Sequence, residues 1–501
     1  MEWLTMATAS IEDGAGKAGA AAMAVADVDA VPLCVDLDGT LIKSDSLYDS
    51  FCALLRKRPL AAMRLPLLLM RGGKAALKAH VGALAPLDAA QLPYNRAVLE
   101  FLEKQHRLGR RLFLATGADV VLAERVAAHL GIFEGVLASD GATNLIGGKK
   151  LAGLERRFGA FDYIGNSTAD LPLLRAARVA YMANPSRGLR AALDRDSARR
   201  FEVQRFEDRR PLAATLVKAI RLHQWAKNVL LFVPLLLSHE ISTRKMLLGV
   251  VAFFCFSFVA SANYLVNDLL DIESDRHHKR KRLRPFAAGD LSVAGGAMLA
   301  VALVAACCAL LPLLPWDFAL WLVLYLAATS AYSLYLKRVV LIDVLVLSGL
   351  YALRMMAGGA ATTTAISPWL TSLAIFLFLS LAMVKRFSEL AGLREQGIEN
   401  THGRGYRVSD LEQIRSFGTA SAYASVVVFS LYISRPDVED LYHHAGRLWL
   451  IVPPMLYWLH RVWLLASRGE LDEDPVIFAI RDRISLAIGL TIALLAVFAT
   501  F

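Results

Sequence analysis

The amino-acid sequence predicts a protein of two parts, a soluble α/β domain followed by an all-α membrane domain. At 501 residues the chain is longer than one hydrophobic core usually organises. Its residues are 56% hydrophobic, and the mean hydropathy is +0.45. This apolar excess follows about residue 224, where long apolar runs alternate with short charged loops. Before that point, short apolar runs end in polar residues, as strands of an α/β domain do.

The opening of the chain, residues 1–30, is rich in alanine and glycine. It carries Glu2 and Glu12, and no basic start precedes an apolar block. We therefore expect a disordered lead-in and not a signal peptide. The net charge of +10 could indicate nucleic-acid binding, but Lys and Arg cluster in the loops between apolar runs. Lipid-facing or phosphate-facing loops explain that pattern better, so we expect no nucleic-acid partner.

The first candidate site follows the apolar run V-P-L-C-V at 31–35, which leads into D-L-D-G-T-L at 36–41. A strand that delivers two carboxylates into a glycine-containing turn suits a phosphoaspartate nucleophile. Asp36 would attack phosphorus, and Asp38 would give and take the proton. A plain turn is the alternative. Further pieces follow in order: a strand ending in Thr116, lysines at 147–154, and a third strand ending in polar residues at 163–170.

This order resembles the haloacid-dehalogenase superfamily over residues 31–205. The resemblance implies a Rossmann-like phosphatase domain with a helical cap at about 45–110. It also implies that Thr116 and Lys150 hold the transferring phosphate, and that Mg²⁺ is bound by Asp36, the Asp38 carbonyl, Asn166 and Asp170. Most members carry an Asp at the position of Asn166. The amide adds no charge to the metal site, so the domain is either a weakened phosphatase or a non-catalytic partner.

The cap segment contains the apolar run L-P-L-L-L-M at 65–70, which is flanked by Arg64 and Arg71. We interpret this run as buried cap core. Contact with the membrane is the alternative.

After a linker at 206–220, the transmembrane domain is predicted over 221–501. Nine apolar runs are long enough to cross about 30 Å of hydrocarbon. The Lys and Arg residues concentrate in alternate loops, which predicts a cytosolic N-terminal domain. The expected location is a bacterial inner membrane. The runs lie at 226–240, 246–267, 293–313, 317–336, 339–360, 367–385, 415–434, 447–465 and 484–501.

The second candidate site lies at the end of the second run, in N-D-L-L-D-I-E-S-D. Asn267, Asp268, Asp271 and Asp275 recur at steps of three and four, so on a continuing helix they share one face. Aligned carboxylates at a membrane surface are costly unless divalent cations neutralise them, which predicts Mg²⁺ shared with substrate phosphates. A solvated helix end is the alternative.

Basic and other polar residues follow on the predicted cytosolic side. His278, Lys281 and Arg284 suit phosphate oxygens, with anionic lipid headgroups as the alternative for this tail. Ionisable groups at membrane depth are functional candidates, and Arg354 is the foremost because it lies well inside an apolar run. The other candidates for substrate binding are Lys227, Lys337, Asp343, Lys385, Arg386 and the turn that contains Arg404 and Tyr406.

Residues from about 221 onward resemble the UbiA superfamily of intramembrane prenyltransferases, most closely its decaprenyl-phosphate phosphoribosyltransferase branch. The resemblance rests on H-Q-W-A-K-N at 223–228, on the N-D-L-L-D-I-E-S-D run and on Y-S-L-Y-L-K-R. It also rests on L-I-D-V-L-V-L-S-G-L-Y-A-L-R, S-L-A-M-V-K-R-F-S-E-L and G-R-G-Y. Aromatic prenyltransferases of the superfamily usually carry a second D-x-x-x-D motif. Here the residue four after Asp343 is Leu347.

The resemblance implies an enzyme that transfers a phosphoribosyl group from 5-phosphoribosyl 1-diphosphate to a polyprenyl phosphate. Mg²⁺ on Asp268, Asp271 and Asp275 would bind the released diphosphate. The attached phosphatase would remove the 5-phosphate from the lipid-linked product. Transfer of a polyprenyl group to an aromatic or other acceptor is a second hypothesis, which the missing motif disfavours. A lipid transporter with a regulatory soluble domain is a third.

Overall fold

The computed structural model describes residues 31–195, 204–238, 240–397, 405–439, 442–471 and 474–500. The expected lead-in at 1–30 and the candidate residue Arg404 lie outside the described residues. The chain divides into two compact units. One contains Met1–Ala219 and Val266–Ala297, and the other contains Ile220–Leu265 and Met298–Phe501. The first unit therefore joins the N-terminal domain to the loop that carries the acidic motif.

The first unit is built on a sheet of six described strands. They are β1 Leu33–Val35, β2 Leu112–Asp119, β3 Gly135–Ser139, β4 Asp162–Gly165, β5 Ala180–Ala183 and β6 Gln204–Phe206. Their order is β3-β2-β1-β4-β5-β6, with every pair parallel. Leu33 on β1 lies between Leu112 on β2 and Asp162 on β4. The strand β1 is fully buried, as expected for a central parallel strand covered on both faces.

Helices cover both faces of this sheet. On one face Val98 and Leu102 pack with Leu33 and Leu112, and on the other Leu154 packs with Tyr163. These helices are Arg96–Arg107, Val120–Leu130, Gly148–Phe158, Leu171–Ala176 and Arg187–Asp194, and Leu212–Ala219 follows the sheet. The result is the predicted α/β fold class.

The segment between β1 and β2 is helical, as the cap hypothesis requires. It contains Ser46–Lys57, Pro59–Ala62 and Leu65–Leu84, the last kinked at Gly73. Leu65 is buried, but Leu67, Leu69 and Met70 are exposed. The interpretation of 65–70 as buried core is therefore wrong for those three residues, because only one side of this short helical turn faces the cap interior.

Within the part of the chain that the structure describes, eight helices are long and apolar enough to cross a membrane. The run predicted at 226–240 corresponds to Leu222–Leu237, a shorter apolar helix in two pieces, so the predicted count of about nine is approximate. The eight helices are Thr243–Leu270, Val293–Leu313, Trp316–Leu334, Ile342–Thr362, Pro368–Glu395, Val408–Ile433, Ala445–Ser467 and Arg483–Thr500.

Candidate functional sites

Three neighbouring strands of the sheet deliver the residues of the first site. Asp36 follows β1, Thr116 lies in β2, and Asn166 follows β4. Carboxyl ends of adjacent parallel strands meet at one sheet edge, which is where α/β folds place ligands. The loop after Asp36 turns through Gly39, whose φ is +73°. A Cβ there would lie 2.0 Å from Asn166 Nδ2, so only glycine allows the two loops to meet.

A buried lysine organises the carboxylates at this edge. Lys150 and Leu154 share the buried face of the helix Gly148–Phe158. The Lys150 ammonium donates to Asp36 Oδ1 at 2.9 Å and to Asp170 Oδ1 at 3.4 Å. Asp170 also accepts from the Tyr163 hydroxyl at 2.9 Å and, through Oδ2, from the Ser167 backbone N–H at 3.1 Å. The structure therefore brings the predicted Asp36, Lys150 and Asp170 into one network.

The carboxylates Asp36 and Asp38 differ in their preference for a proton. Burial raises the pKa of Asp36 to about 6, although the adjacent Lys150 partly opposes the shift. Burial, reinforced by Asp45, raises the pKa of Asp38 to about 8. The Asp38 carboxyl accepts from the Ser46 backbone N–H at 2.8 Å. Asp36 is thus suited to attack as a carboxylate, and Asp38 to hold a proton.

The donor set at this edge fits a magnesium ion. Asp36, Asp38 and Asp170 present carboxylates at this edge, and Asn166 adds an amide oxygen. Hard oxygen ligands of this kind are those that Mg²⁺ takes. Among the described residues, no three His, Cys, Asp or Glu side chains are arranged as a metal site. Lys150 meanwhile contacts both Asp36 and Asp170.

A cavity of about 370 Å³ opens over this network. Asp36, Asp38 and Lys150 line its polar side. Lys78 lines it too, and its ammonium donates to the Gly117 carbonyl at 2.5 Å. The loop that follows the acidic motif also contributes to the cavity wall, at Phe286 and Leu291–Ala294. That wall leads into Val293–Leu313, a candidate membrane span.

The acidic motif does not lie on one continuous helix. The helix Thr243–Leu270 ends before Asp271, whose φ and ψ of −98° and 6° are not helical, and Ile272–Arg276 begins anew. The Asp271 carboxylate pairs with Arg56 at 3.4 Å, whereas those of Asp268 and Asp275 pair with Arg284, so the expectation of one shared helical face is wrong.

Asp268 and Asp275 nevertheless converge on one cation. Arg284 Nη1 donates to Asp268 Oδ1 at 3.1 Å and to Asp275 Oδ2 at 2.7 Å. Both acidic side chains are almost fully buried. Burial raises the pKa of Asp275, and Arg284 only partly opposes the shift. Two buried carboxylates directed at one positive centre fit a divalent cation, with Arg284 then available to a phosphate.

The other predicted residues of this loop lie nearby in the chain. Asn267 is half-buried, near the end of Thr243–Leu270. His278 Nδ1 accepts from the backbone N–H groups of Arg280 and Lys281, so its ring caps a turn. Lys281 is exposed and begins a single 3₁₀ turn, Lys281–Leu283.

In the second unit, Arg354 is buried and fully engaged. Its guanidinium donates to Asn228 Oδ1 at 3.0 Å, to the Tyr325 hydroxyl at 3.0 Å and to the Leu350 carbonyl at 2.6 Å. Asn228 donates in turn to Ser257 Oγ at 2.9 Å. These contacts hold the positive charge in place inside the helical bundle.

A second polar cluster in this unit centres on Asp474, which the sequence analysis did not identify. Asp474 Oδ2 accepts from Lys227 at 2.8 Å and from Lys385 at 3.0 Å. Its side chain also caps the helix Pro475–Arg481 by accepting from the Val476 backbone N–H. The available signal was an acidic residue directly before a proline, which is a pattern typical of a helix start.

A third cluster contains Asp343, Arg386 and Tyr406. Asp343 is fully buried and lies 2.9 Å from the Arg386 guanidinium, while the Tyr406 hydroxyl donates to its other oxygen. Arg386 also pairs with Glu389. Lys337 lies in the separate turn Leu336–Arg338. The predicted residues of this unit therefore form distinct clusters, around Asp474, Arg354 and Asp343.

The comparisons with known proteins recover both parts of the chain. Residues 229–480 match the family model of the UbiA prenyltransferases, and residues 33–175 match that of the haloacid dehalogenase-like hydrolases.

The relatives of this chain match either one or both of these parts. An uncharacterized protein, y4nM, of Sinorhizobium fredii is 37% identical over 94% of this chain and 92% of its own length. A decaprenyl-phosphate phosphoribosyltransferase of Mycobacterium tuberculosis is 34% identical over 54% of this chain and 90% of its own. Among solved structures, a UbiA homologue from Archaeoglobus fulgidus bound to GPP and Mg²⁺ covers 57% of this chain and 98% of its own. Its identity is 17% and its TM-score 0.42.

Proposed function

This chain belongs to the UbiA prenyltransferase family and is an integral membrane protein with an attached haloacid dehalogenase-like domain, and from that premise we propose a two-step enzyme. The membrane part transfers a 5-phosphoribosyl group from phosphoribosyl diphosphate to a polyprenyl phosphate and releases diphosphate. The soluble domain then hydrolyses the 5-phosphate of the lipid-linked product. Linking the two sites raises the effective concentration of the second step's substrate.

The excess of cations over acidic groups outside the first motif carries the transferase proposal. Asp343, the one acidic residue at the place of a second motif, is paired with Arg386 and accepts from Tyr406. Lys227 and Lys385 share the single carboxylate of Asp474, so this cluster keeps an excess positive charge for phosphate groups. The proposed donor carries phosphate groups at two positions of its sugar, and the proposed acceptor is a lipid phosphate. Binding both substrates needs such cations. The relative named decaprenyl-phosphate phosphoribosyltransferase supports the same reaction.

The proposed transfer needs little acid–base catalysis by protein side chains. Asp268, Asp275 and Asp271 would hold Mg²⁺, which would neutralise charge on the departing diphosphate. Arg284 hydrogen-bonds phosphate oxygens once it leaves the carboxylates. The lipid phosphate is already an anion, so it captures the developing cation at the sugar C1 without a general base. Diphosphate leaves with the electron pair of the broken C1–O bond.

The geometry of the soluble site supports the proposed phosphatase step. An Asp36 carboxylate oxygen attacks phosphorus while Asp38 gives its proton to the departing sugar oxygen. Asp38 then takes a proton from water, and the water oxygen attacks the phosphoaspartate and releases phosphate. Lys150, already 2.9 Å from Asp36, neutralises the transferring oxygens. Asp36, the Asp38 carbonyl, Asn166 and Asp170 would hold the Mg²⁺ that shields this charge.

The residues that line the phosphatase cavity support the proposal that its substrate is lipid-linked. The cavity lining contains the reacting groups and also Phe286, Leu291 and Val293, and Val293 begins a candidate span. The N-terminal domain and the segment Val266–Ala297, which contains the basic loop after the acidic motif, belong to one unit. This supports their lying on the same side of the membrane. By the positive-inside rule that side is the cytosolic face of a bacterial inner membrane.

One assay tests both steps. Purified full-length protein is incubated with polyprenyl phosphate, Mg²⁺ and phosphoribosyl diphosphate labelled in the ribose or in the 5-phosphate. We expect ribose label to enter the organic phase, and 5-phosphate label to enter it and then return to water as phosphate. Transfer from a labelled polyprenyl diphosphate instead would support the prenyl-transfer hypothesis and contradict the phosphoribosyl one.

A further inference from the structure

The helical cap carries an exposed apolar tip at the turn between two of its helices. Leu60, Met63 and Met70 are 78%, 76% and 85% exposed, and Leu67 is half exposed. The opposite side of the same turn is anchored, since Ala62 and Leu65 pack into the cap interior. The tip is therefore a firmly held surface. Contiguous exposed side chains of this kind mark an interaction site.

The charged residues of the segment that forms this tip are all basic. Between Asp49 and Asp88 the sequence contains no Asp or Glu. Arg58, Arg64, Arg71 and Lys74 are exposed beside the apolar residues. An apolar surface with a basic rim complements an anionic lipid surface, where the apolar groups enter the headgroup region and the cations meet lipid phosphates. The basic residues of this segment are Arg56, Lys57, Arg58, Arg64, Arg71, Lys74 and Lys78.

Contacts within the first unit place this tip close to the end of a candidate membrane span. The Lys57 ammonium lies 2.7 Å from Glu273, and Arg56 lies 3.4 Å from Asp271. Both acidic residues follow within three positions of Leu270, where the helix Thr243–Leu270 ends. Leu60 is three residues beyond Lys57, and three residues reach at most about 10 Å. The start of the tip therefore lies near the end of this candidate span.

We propose that the tip formed by Leu60, Met63, Leu67 and Met70 docks the phosphatase cap onto the membrane surface, with the basic rim bound to anionic lipid phosphates. Docking holds the mouth of the phosphatase cavity at the level where a lipid-linked phosphomonoester emerges. It deepens the proposed function, because it explains how a soluble-type site reaches a membrane-bound substrate. The docking itself does not depend on which lipid carries the phosphate.

The decisive test measures lipid contact directly in full-length protein reconstituted into nanodiscs. Met63→Cys and Met70→Cys each receive an environment-sensitive fluorophore, in a Cys308→Ala background that removes an exposed native cysteine. Leu108→Cys is the matched control, since Leu108 is another exposed apolar residue of the same domain. We expect brominated phospholipids to quench the probes at 63 and 70 severalfold more than the probe at 108. Equal quenching at all three positions would overturn the proposal.

Two further measurements distinguish binding of anionic lipid by the basic rim from coverage of the tip by a protein. Arg64→Gln/Arg71→Gln should weaken the quenching at position 70 in anionic nanodiscs and leave it unchanged in neutral ones. A probe at 70 that is shielded from water but not quenched by brominated lipid would show that a protein covers the tip, which also overturns the proposal. None of these readouts requires turnover, so they remain decisive if the enzyme fails to hydrolyse or transfer any tested substrate.

The functional arm uses Leu60→Asp/Met63→Asp/Met70→Asp. These positions are exposed, so the fold should be retained. Hydrolysis of a lipid-linked phosphomonoester should fall about tenfold, because the cap no longer holds its cavity at the membrane, whereas hydrolysis of a water-soluble phosphomonoester should not change. An equal loss for both substrates would contradict membrane docking and indicate damage to the site.

Discussion

Replacing Arg276 by methionine should weaken the first unit and its phosphatase site together. Arg276 directly follows the last acidic residue of the motif, yet its guanidinium lies 2.7 Å from Asp49 in the first cap helix. Their side chains are only 5% and 1% exposed. Arg276 also donates to Ser44 Oγ at 3.2 Å and to the Ala287 carbonyl at 3.2 Å. The substitution leaves a buried carboxylate without its counter-charge.

The magnitude follows from what Asp49 retains. Breaking a buried ion pair by removing one partner typically costs about 3–5 kcal/mol. Asp49 keeps the hydrogen bond from the Ser44 hydroxyl at 2.6 Å, so we expect the lower end, about 3 kcal/mol. The double variant Arg276→Met/Asp49→Leu removes both charges. It should lie within about 1 kcal/mol of wild type, because apolar replacement of a buried pair is often neutral.

Activity should respond differently from stability. The Ser44 carbonyl accepts from the Gly39 backbone N–H at 3.0 Å, and the Ser46 backbone N–H donates to Asp38, so this segment orients the proton-transfer carboxyl. Without Arg276 to hold Ser44, we expect kcat for a soluble phosphomonoester to fall about tenfold in the single and the double variant, with KM little changed.

Amide hydrogen exchange of β1 reports the stability of this unit, and steady-state hydrolysis reports kcat. Lys57→Met is the matched control, because it removes the exposed Lys57–Glu273 pair and should change neither quantity. Wild-type kcat in the double variant would refute the positioning argument. A double variant as unstable as Arg276→Met would refute the ion-pair argument.

Three other substitutions test the two sites separately. Asp268→Asn should lower lipid labelling about a hundredfold and raise the Mg²⁺ needed, because an amide replaces a charged ligand; unchanged labelling at every Mg²⁺ concentration would remove the metal-site assignment. Asp36→Asn should abolish phosphate release and leave phosphoribosyl transfer intact, since it removes only the nucleophile of the soluble domain; loss of transfer at saturating substrate would contradict the division of labour. Asn166→Asp should raise both Mg²⁺ affinity and hydrolysis of a small phosphomonoester, because it adds a negative ligand charge. No gain at any Mg²⁺ concentration would contradict the weakened-phosphatase hypothesis.

The predictions of the two sites depended on different features of the chain. Asp36 and Asp170 lie 134 residues apart in the chain, but they follow neighbouring parallel strands and meet at one sheet edge, where Lys150 on a covering helix contacts both, so the order of motifs was enough to group them. The shared face of Asp268, Asp271 and Asp275 depended on an unbroken helix. The backbone leaves the helical conformation at Asp271, and three- and four-residue spacing alone does not reveal such a break.

The sequence by itself determined the two-part fold class and the approximate membrane runs, because hydrophobic period and local turn signals are local properties of the chain. Tertiary structure alone decided which distant groups neutralise each other. Asp474 between Lys227 and Lys385, and Arg276 against Asp49, join positions more than 80 residues apart. Nothing local requires these pairs. Burial selects them, because a charge removed from water is tolerated only beside a partner that the rest of the fold supplies.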